Sequence, residues 1–445
     1  YTNLKVKALE NGQPIPEAYL ALATTEFRDK YDIVGDDITD KNGNVIDTKA
    51  NALNVIQGTV AGGLTGSTST PITESWPKTV AGVTIPEEDK DNMILKLKVL
   101  GNKEKIKFGG YAKLNIDYGN GDSDEELNLY QGKEVEYNQG EYIIKISGFR
   151  GFRIESELIE NIEFEVLQWG KLSESYDENN EVVVLPSVTK IYEPEPDKVV
   201  VSYDGGKMTE IPEWLFSKKV TSKRMSYFIN CEKITSIPEN LFKYNTKVKN
   251  WRSTFMGCTG LISIPEDLFK HNTESKYFDN VFSGCTGLTS IPENLFKYNT
   301  NVKNQENSGF LSIFAGCTGL TNIPENLFKY NTEVGTISYV FKDCTGLTSI
   351  PENLFKYNNK MNDFSGVFIG CSGLISIPEN IFKYNSAANI LYSAFENCSN
   401  IIHIPDKLIE NMKKVKEKGG STLYMFRGCT SASNYSSIPG YMKGD

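Results

Sequence analysis

The chain has 445 residues, of which 39% are apolar, 11% aromatic and 23% charged. That is the composition of a globular protein able to bury a core, with length for two to four domains. No apolar run approaches the ~20 residues a membrane helix needs, and a net charge of −10 argues against a general nucleic-acid binder. With His271 and His403 the only histidines, most histidine-based catalysis and zinc chemistry are excluded. Charge and cysteine are placed unevenly. Residues 1–200 carry 21 Lys+Arg against 35 Asp+Glu and no cysteine, whereas the remainder carries 26 against 22 and all eight cysteines. This shift implies a domain boundary near residue 200. Because the chain opens on Tyr1, a processed or trimmed start is expected.

Residues 1–90 read as β. Leu4–Ala8 alternates, Ala18–Leu22 comes after a Glu10-Asn11-Gly12 turn, and Thr39–Val45 carries an Asn42-Gly43 hairpin signal. This order is similar to the small immunoglobulin-like stalk domains of bacterial adhesins. The Gly-, Ser- and Thr-rich stretch 58–72 reads as a loop or connector. Residues 91–165 also read as a β-sandwich, from the alternation of Met93–Val99, the strand and tight turn of 114–122, and the strand 141–147. Tyr118-Gly119-Asn120-Gly121 and the strand after it resemble the PKD-type sandwich. Residues 166–205 read as connector and cap, with Trp169 expected to cover the open end of the C-terminal half.

The C-terminal half is periodic. Ile-Pro-Glu-Asn-Leu-Phe-Lys-Tyr-Asn occurs at 237–245, 291–299, 323–331 and 350–358, with near copies at 264–272 and 377–385. The prolines from Pro212 to Pro439 are spaced 26, 27, 27, 32, 27, 27, 27 and 34 residues apart. Cysteines keep the same beat at Cys231, Cys258, Cys285, Cys317, Cys344, Cys371, Cys398 and Cys429. A phenylalanine precedes each by three residues: Phe228, Phe255, Phe282, Phe314, Phe341, Phe368, Phe395 and Phe426. One unit cannot bury its own apolar face, so neighbours must stack into a solenoid with phenylalanine and cysteine columns. Each unit is expected to hold one brief strand, such as Gly287–Ile291, ended by proline. Two short helical or 3₁₀ turns complete it, with Glu293 and Lys297 paired four apart. Residues 304–310 and 413–420 are expected to bulge as surface loops.

Phe-x-Gly-Cys-Thr-Gly-Leu-Thr-Ser-Ile-Pro resembles the BspA-type leucine-rich repeat of bacterial surface proteins, over roughly residues 200–440. The fold class expected is therefore multidomain α/β: Ig-like (1–90) and PKD-like (91–165) β-sandwiches, a connector (166–205), and a leucine-rich-repeat solenoid (206–445) with one short strand plus short helices per unit of about 27 residues.

No two cysteines lie closer than 27 residues, which excludes Cys-x₂-Cys zinc pairs. Helical faces at roughly 8–10 Å also exceed the reach of a disulfide, so the thiols read as small buried apolar groups. The oxygen-rich turns 40–44 and 120–126 suit plain hairpins better than calcium loops, which need a bidentate Glu. No metal and no cofactor is expected. No nucleotide loop, nucleophile motif or paired-carboxylate motif is present, so no catalytic residue is assigned and the protein is not expected to be an enzyme. His403 stands at a Ser/Asn position of one strand, and His271 replaces a tyrosine. The column Lys243, Lys297, Lys329, Lys356 and Lys383, with its tyrosines, reads as a solvated face. Solenoids bind through one extended face. The outward strip before each proline comprises Thr235, Ser263, Thr289, Ser290, Thr321, Asn322, Thr348, Ser349, Ser376 and His403. It is the candidate ligand surface, and segments that differ between copies, such as Trp251-Arg252, Tyr277-Phe278 and Leu391-Tyr392, are a second.

What the family resemblance implies is an extracellular or cell-surface protein of bacteria. It would bind a host or bacterial surface protein, a matrix protein or a glycan without chemistry. Nucleic acid is not expected as a partner. The chain is not expected to span a membrane, and a lipid anchor on a missing N-terminal segment would fit. The alternative is a phage or injection-device tail-fibre component that recognises a bacterial surface.

Overall fold

Alternation governs residues 93–202. The structure, a computed structural model, describes residues 76–110, 113–128, 132–147, 152–156, 159–170, 183–195, 199–303 and 309–444, with the backbone alone of three strands between 31 and 48. It divides into two compact units, 1–78 and 79–445. In the first, β1 (Tyr31–Val34), β2 (Asp37–Asp40) and β3 (Val45–Thr48) form an antiparallel sheet, and the β2–β3 pairing brackets the Asn42-Gly43 signal. The expectations for Leu4–Ala8, Ala18–Leu22, residues 41–44 and residues 58–72 lie outside the described residues.

A two-stranded sheet, β4 (Lys78–Val80) and β5 (Val83–Ile85), precedes the two larger sheets of the second unit. The larger strands are β6 (Met93–Val99), β7 (Glu104–Gly110), β8 (Lys113–Asp117), β9 (Ser123–Asn128), β10 (Lys133–Tyr137), β11 (Gly140–Ser147), β12 (Phe152–Ser156) and β13 (Ile162–Gln168). Three shorter ones complete the set: β14 (Val183–Val184), β15 (Val188–Ile191) and β16 (Val201–Ser202). One sheet runs β15-β13-β6-β11-β8-β9 and the other β10-β7-β12-β14-β16. Leu95, Leu97 and Val99 of β6 are buried while Lys98 between them is exposed, and they meet Val166, Phe164 and Ile162 across the β13 register. Ile106, Phe108 and Ile154 of the second sheet join the same core, and Phe108 packs 5.0 Å from Tyr118.

The short strands β14, β15 and β16 supply one strand to the first sheet and two to the second through parallel pairings. β16 then bridges to Tyr227 in parallel, so the second sheet runs without a break into the repeats. That continuation covers an edge whose bare amides and carbonyls would otherwise invite association. At the joint, Glu195 and Lys219 form a fully buried ion pair at 3.0 Å. The Tyr203 and Ser226 hydroxyls both donate to the same carboxylate, Ser226 at 2.7 Å. The ring heading the phenylalanine column is Tyr203, stacked 5.2 Å from Phe228. Trp169 instead donates to Glu193 through both its backbone and its ring N–H.

The repeats are built from turns, which corrects the expected strand and helices. Among the described residues of the repeats the α-helices are α1 (Asp406–Glu417) and α2 (Gly440–Lys443). In Gly287–Ile291 the buried residues Leu288 and Ile291 stand three apart, not two, so no strand alternation exists to support a ladder. The backbone bonds this segment makes to the preceding unit are Gly287 N–H to Thr259 O at 2.9 Å and Thr289 N–H to Ile262 O at 3.3 Å. The ladder forms instead on the segment running up to each cysteine. The N–H groups of Trp251, Ser253, Phe255 and Gly257 donate to the carbonyls of Tyr277, Asp279, Val281 and Ser283 at 2.7–3.0 Å. Phe278, Asn280, Phe282 and Gly284 do the same to the next unit. Every donor points toward the C-terminus.

Such a one-way ladder needs the chain to alternate between right- and left-handed conformations. Phe278–Val281 and Phe282–Cys285 each close an i→i+3 bond with positive φ at the third residue, 57° at Asn280 and 76° at Gly284, which marks type II turns. The residue before every cysteine is therefore Gly, Asn or Asp, the types that tolerate this region. The last donors, Tyr424 and Phe426, reach the carbonyls of Tyr441 and Met442, so α2 closes the stack.

Buried columns fill the interior. Phe228, Phe255, Phe282, Phe314, Phe341, Phe368, Phe395 and Phe426 stack at 5.5–6.0 Å with interplanar angles of 4–12°. Each such pair adds roughly 0.5–1.5 kcal/mol beyond its buried area. Phe242, Phe269 and Phe296 form a second column. Two insertions differ from expectation. Phe310 is buried between Phe296 and Phe328 instead of lying on a loop, while 304–308 fall outside the described residues. Residues 413–417 belong to α1, whose Leu408, Ile409 and Met412 face inward.

Candidate binding surface

All eight cysteines are free and buried. Each thiol donates to the carbonyl of the preceding unit's aromatic residue, as Cys285 does to Phe255 O at 3.2 Å and Cys371 to Phe341 O at 3.0 Å. Burial pushes every thiol up, Cys258, Cys344 and Cys429 to about 12, so none is a nucleophile at neutral pH. Among the described residues no group of three or more His, Cys, Asp or Glu is placed to hold a metal ion. At the 120–126 turn, Asp122 and Asn120 bond each other, and the Tyr118 hydroxyl donates to Asp124.

A column hidden to sequence reasoning is that of the asparagines ending each Lys-Tyr-Asn. Asn245, Asn272, Asn299, Asn331, Asn358 and Asn385 are buried, and each Nδ2 donates to two carbonyls of the preceding unit. Asn299 gives 3.1 Å to Phe269 O and 2.9 Å to Asn272 O. The sequence carries the signal, because an asparagine ends all six copies of the nonapeptide.

Three exposed columns run along the stack. The first is the strip Thr235, Ser263, Thr289, Ser290, Thr321, Asn322, Thr348, Ser349, Ser376 and His403, all exposed. Ile262, Ile375 and Ile402 interrupt its polarity, each more than half exposed. Since no sheet lies beneath it, this strip is a row of loop side chains.

The second column alternates lysine and tyrosine on the turn after each proline. Lys329 Nζ lies 5.6 Å from the ring of Tyr330 and 5.5 Å from that of Tyr357, and Lys297 and Lys356 repeat this with their own neighbours. Glu293, expected to pair with Lys297, accepts from Asn326 of the next unit at 2.7 Å. Its counterparts Glu266, Glu325 and Glu352 do likewise. Charges on this face are thus engaged by neutral side chains, the lysines by tyrosine rings and the glutamates by asparagine amides.

The third column lies where parallel bridges join Arg224, Asn250 and Tyr277. A cleft of about 370 Å³ is lined by Arg224, Tyr227, Ile229, Asn250, Arg252 and Ser253. A second, of about 170 Å³, is lined by Lys276, Tyr277, Asn301 and Lys303. Arg252 joins them, its guanidinium 4.2 Å from the Tyr277 ring and its Nε 2.6 Å from Asp279. Of the variable pairs, Trp251, Phe278 and Leu391 are core, while Arg252, Tyr277 and Tyr392 face outward.

No family model and no curated protein matches the chain. Among solved structures it is similar to a chain of the Toll–Spätzle complex of Drosophila, with 16% identity and a TM-score of 0.33, covering 51% of this chain and 30% of that one. It is also similar to a leucine rich cell surface protein of Faecalibacterium prausnitzii, with 17% identity and a TM-score of 0.15, covering 57% of this chain and 84% of that one. The chain thus spans less than a third of the first of these. No helix among the described residues is long and apolar enough to cross a membrane.

Proposed function

We propose that the protein is a non-catalytic binding protein of the BspA-type leucine-rich-repeat class, working at the cell surface or outside the cell. In this reading residues 1–90 and 91–165, Ig-like and PKD-like, are spacers. Residues 166–205 join them to the repeats 206–445, a solenoid that docks a host or bacterial surface protein, a matrix protein or a glycan. The observation that carries it is the register of the exposed columns. Each unit returns a side chain to the same place on a core rigid enough to hold a row of contacts, and several weak contacts held at fixed spacing add through effective concentration.

The test is an array of matrix proteins and glycans probed with the full chain. Substitutions that introduce or reverse charge in each exposed column (Thr289→Glu with Thr321→Glu, Lys329→Glu with Lys356→Glu, Lys249→Glu with Lys276→Glu) then locate the face. Binding that one of these sets abolishes is expected. A partner retained by all three, or no partner at all, counts against the reading.

A further inference from the structure

The third column differs from the other two in charge. Its backbone is tied unit to unit, with Lys249 N–H donating to Lys223 O and Lys276 N–H to Lys249 O, each at 2.9 Å. Lys223, Lys249 and Lys276 therefore stand in one row at about 4.8 Å per step, and Lys303 lines the second cleft beside Lys276. Arg224 and Arg252 flank the row. Three carboxylates nearby offset part of this charge. Asp279 is paired with Arg252 and also accepts the N–H groups of Gly309 and Leu311, while Glu274 is paired with Lys247 at 2.7 Å and Lys249 at 3.8 Å. Glu333, near Lys303, is held by Lys360. In a chain of net charge −10, this cationic ridge ends with the unit that holds Lys303. Beyond it the same place is taken by Gly335, Asn362 and Asn389, whose backbones continue the tie.

We infer that this ridge and its two clefts form a binding site for a linear acidic polysaccharide, one bearing carboxylate or sulfate groups along its length. The inference rests on the binding reading above and gives it a face and a ligand class. Evenly spaced cations in register fit a polymer whose charges also recur at short, regular intervals. Asn250, Ser253 and Asn301 add neutral donors and acceptors suited to sugar hydroxyls. Tyr227 and Tyr277 supply aromatic rings within the clefts. Only Ile229 among the lining residues is aliphatic, so the clefts lack the apolar pocket an acidic peptide would need to anchor its side chains.

The experiment titrates the full chain by calorimetry with a heparin hexasaccharide, a hyaluronan hexasaccharide and neutral cellohexaose. Binding of at least one acidic sugar and not of cellohexaose is expected, weakening about tenfold or more from low to high salt as exposed charges are screened. Which acidic sugar binds distinguishes sulfate from carboxylate recognition. Replacing Lys249→Ser with Lys276→Ser is expected to lower affinity at least tenfold, while Lys356→Ser with Lys383→Ser, on the lysine–tyrosine column, leaves it unchanged. These are surface positions, and an unaltered melting curve verifies folding. Equal binding of cellohexaose, equal loss in both pairs, or affinity that survives the Lys249/Lys276 change overturns the site. If neither acidic sugar binds while the array yields a partner mapped to another column, the site falls and the broader reading stands. Failure of both experiments sinks both.

Discussion

The paired sheets and the repeat stack share one chain and a continuous hydrogen-bond network, yet they achieve order by opposite means. In the sheets, partners such as Ile144 and Leu95 lie on antiparallel strands, and burial follows a period of two. In the stack, the ladder leading up to each cysteine runs one way, burial follows the repeat, and Phe282 touches the copies of itself at 255 and 314. A residue in the sheets is held by unlike neighbours from distant sequence. A residue in the stack is held by its equivalents, so stability there is a sum of near-identical joints.

The sharpest way to separate the two regions is alkali, because all the thiols lie in the stack. The folded state binds the thiol protons more tightly than the unfolded chain, whose thiols ionise near pH 9. Stability is therefore intact below that pH and falls as pH rises past it, by about 1.4 kcal/mol per unit for each buried thiol. Hydrogen exchange should show the stack opening between pH 9 and 10, before ionisation of the sheet tyrosines Tyr118 and Tyr137, also raised by burial, begins to count. A stack as protected at pH 10 as at pH 8 would refute this.

Next in size is Phe282→Ala, expected to cost about 3–5 kcal/mol. It should also split denaturant unfolding into two transitions, one for each side of the gap. Ile144→Ala in the sheets should lower stability by about 2–5 kcal/mol with a single transition. A single transition for both variants would mean that the stack is as indivisible as the sheets.

The joint between the regions is tested by Lys219→Met, which strands the Glu195 carboxylate in a dry interior and should cost about 3 kcal/mol. Adding Glu195→Gln should restore a good part of that loss, measured as a double-mutant cycle. Additive losses would show that the pair is not coupled. At the small end, Tyr330→Ala on the exposed column should change stability by less than about 0.5 kcal/mol. A larger loss in thermal melts would give that column a structural task.

Much of the stack is legible in the sequence, and the reason lies in its arithmetic. Phe-x-x-Cys repeated eight times leaves no other way to bury the rings, and Thr289 or Ser349 stand out as polar between buried neighbours. The backbone is harder to read. Leu288 and Ile291 three apart look like a strand closed by proline, whereas burial at that spacing belongs to an extended loop, and the ladder sits on the segment around Trp251 and Phe278. The constraint to Gly, Asn or Asp before each cysteine encodes the left-handed residues of that ladder. The row Lys223, Lys249 and Lys276 lies in the segment that varies most between copies. Each nevertheless follows its repeat proline by eleven residues, so the repeat spacing already aligns the row that the backbone ties together. The strands at 183–202 are obscured by the proline and charge of their surroundings, and their parallel pairing depends on partners 18 to 31 residues away.

The one-way amide ladder bears on how such a protein can change over generations. Because the upper side of any internal unit matches the lower side of the next, a whole copy can be gained or lost without redesigning its neighbours. The surplus in the unit holding Phe310 is already accommodated on that principle. The sheet edge at β16 is unlike any unit, and it sets the register on which every later copy must stack.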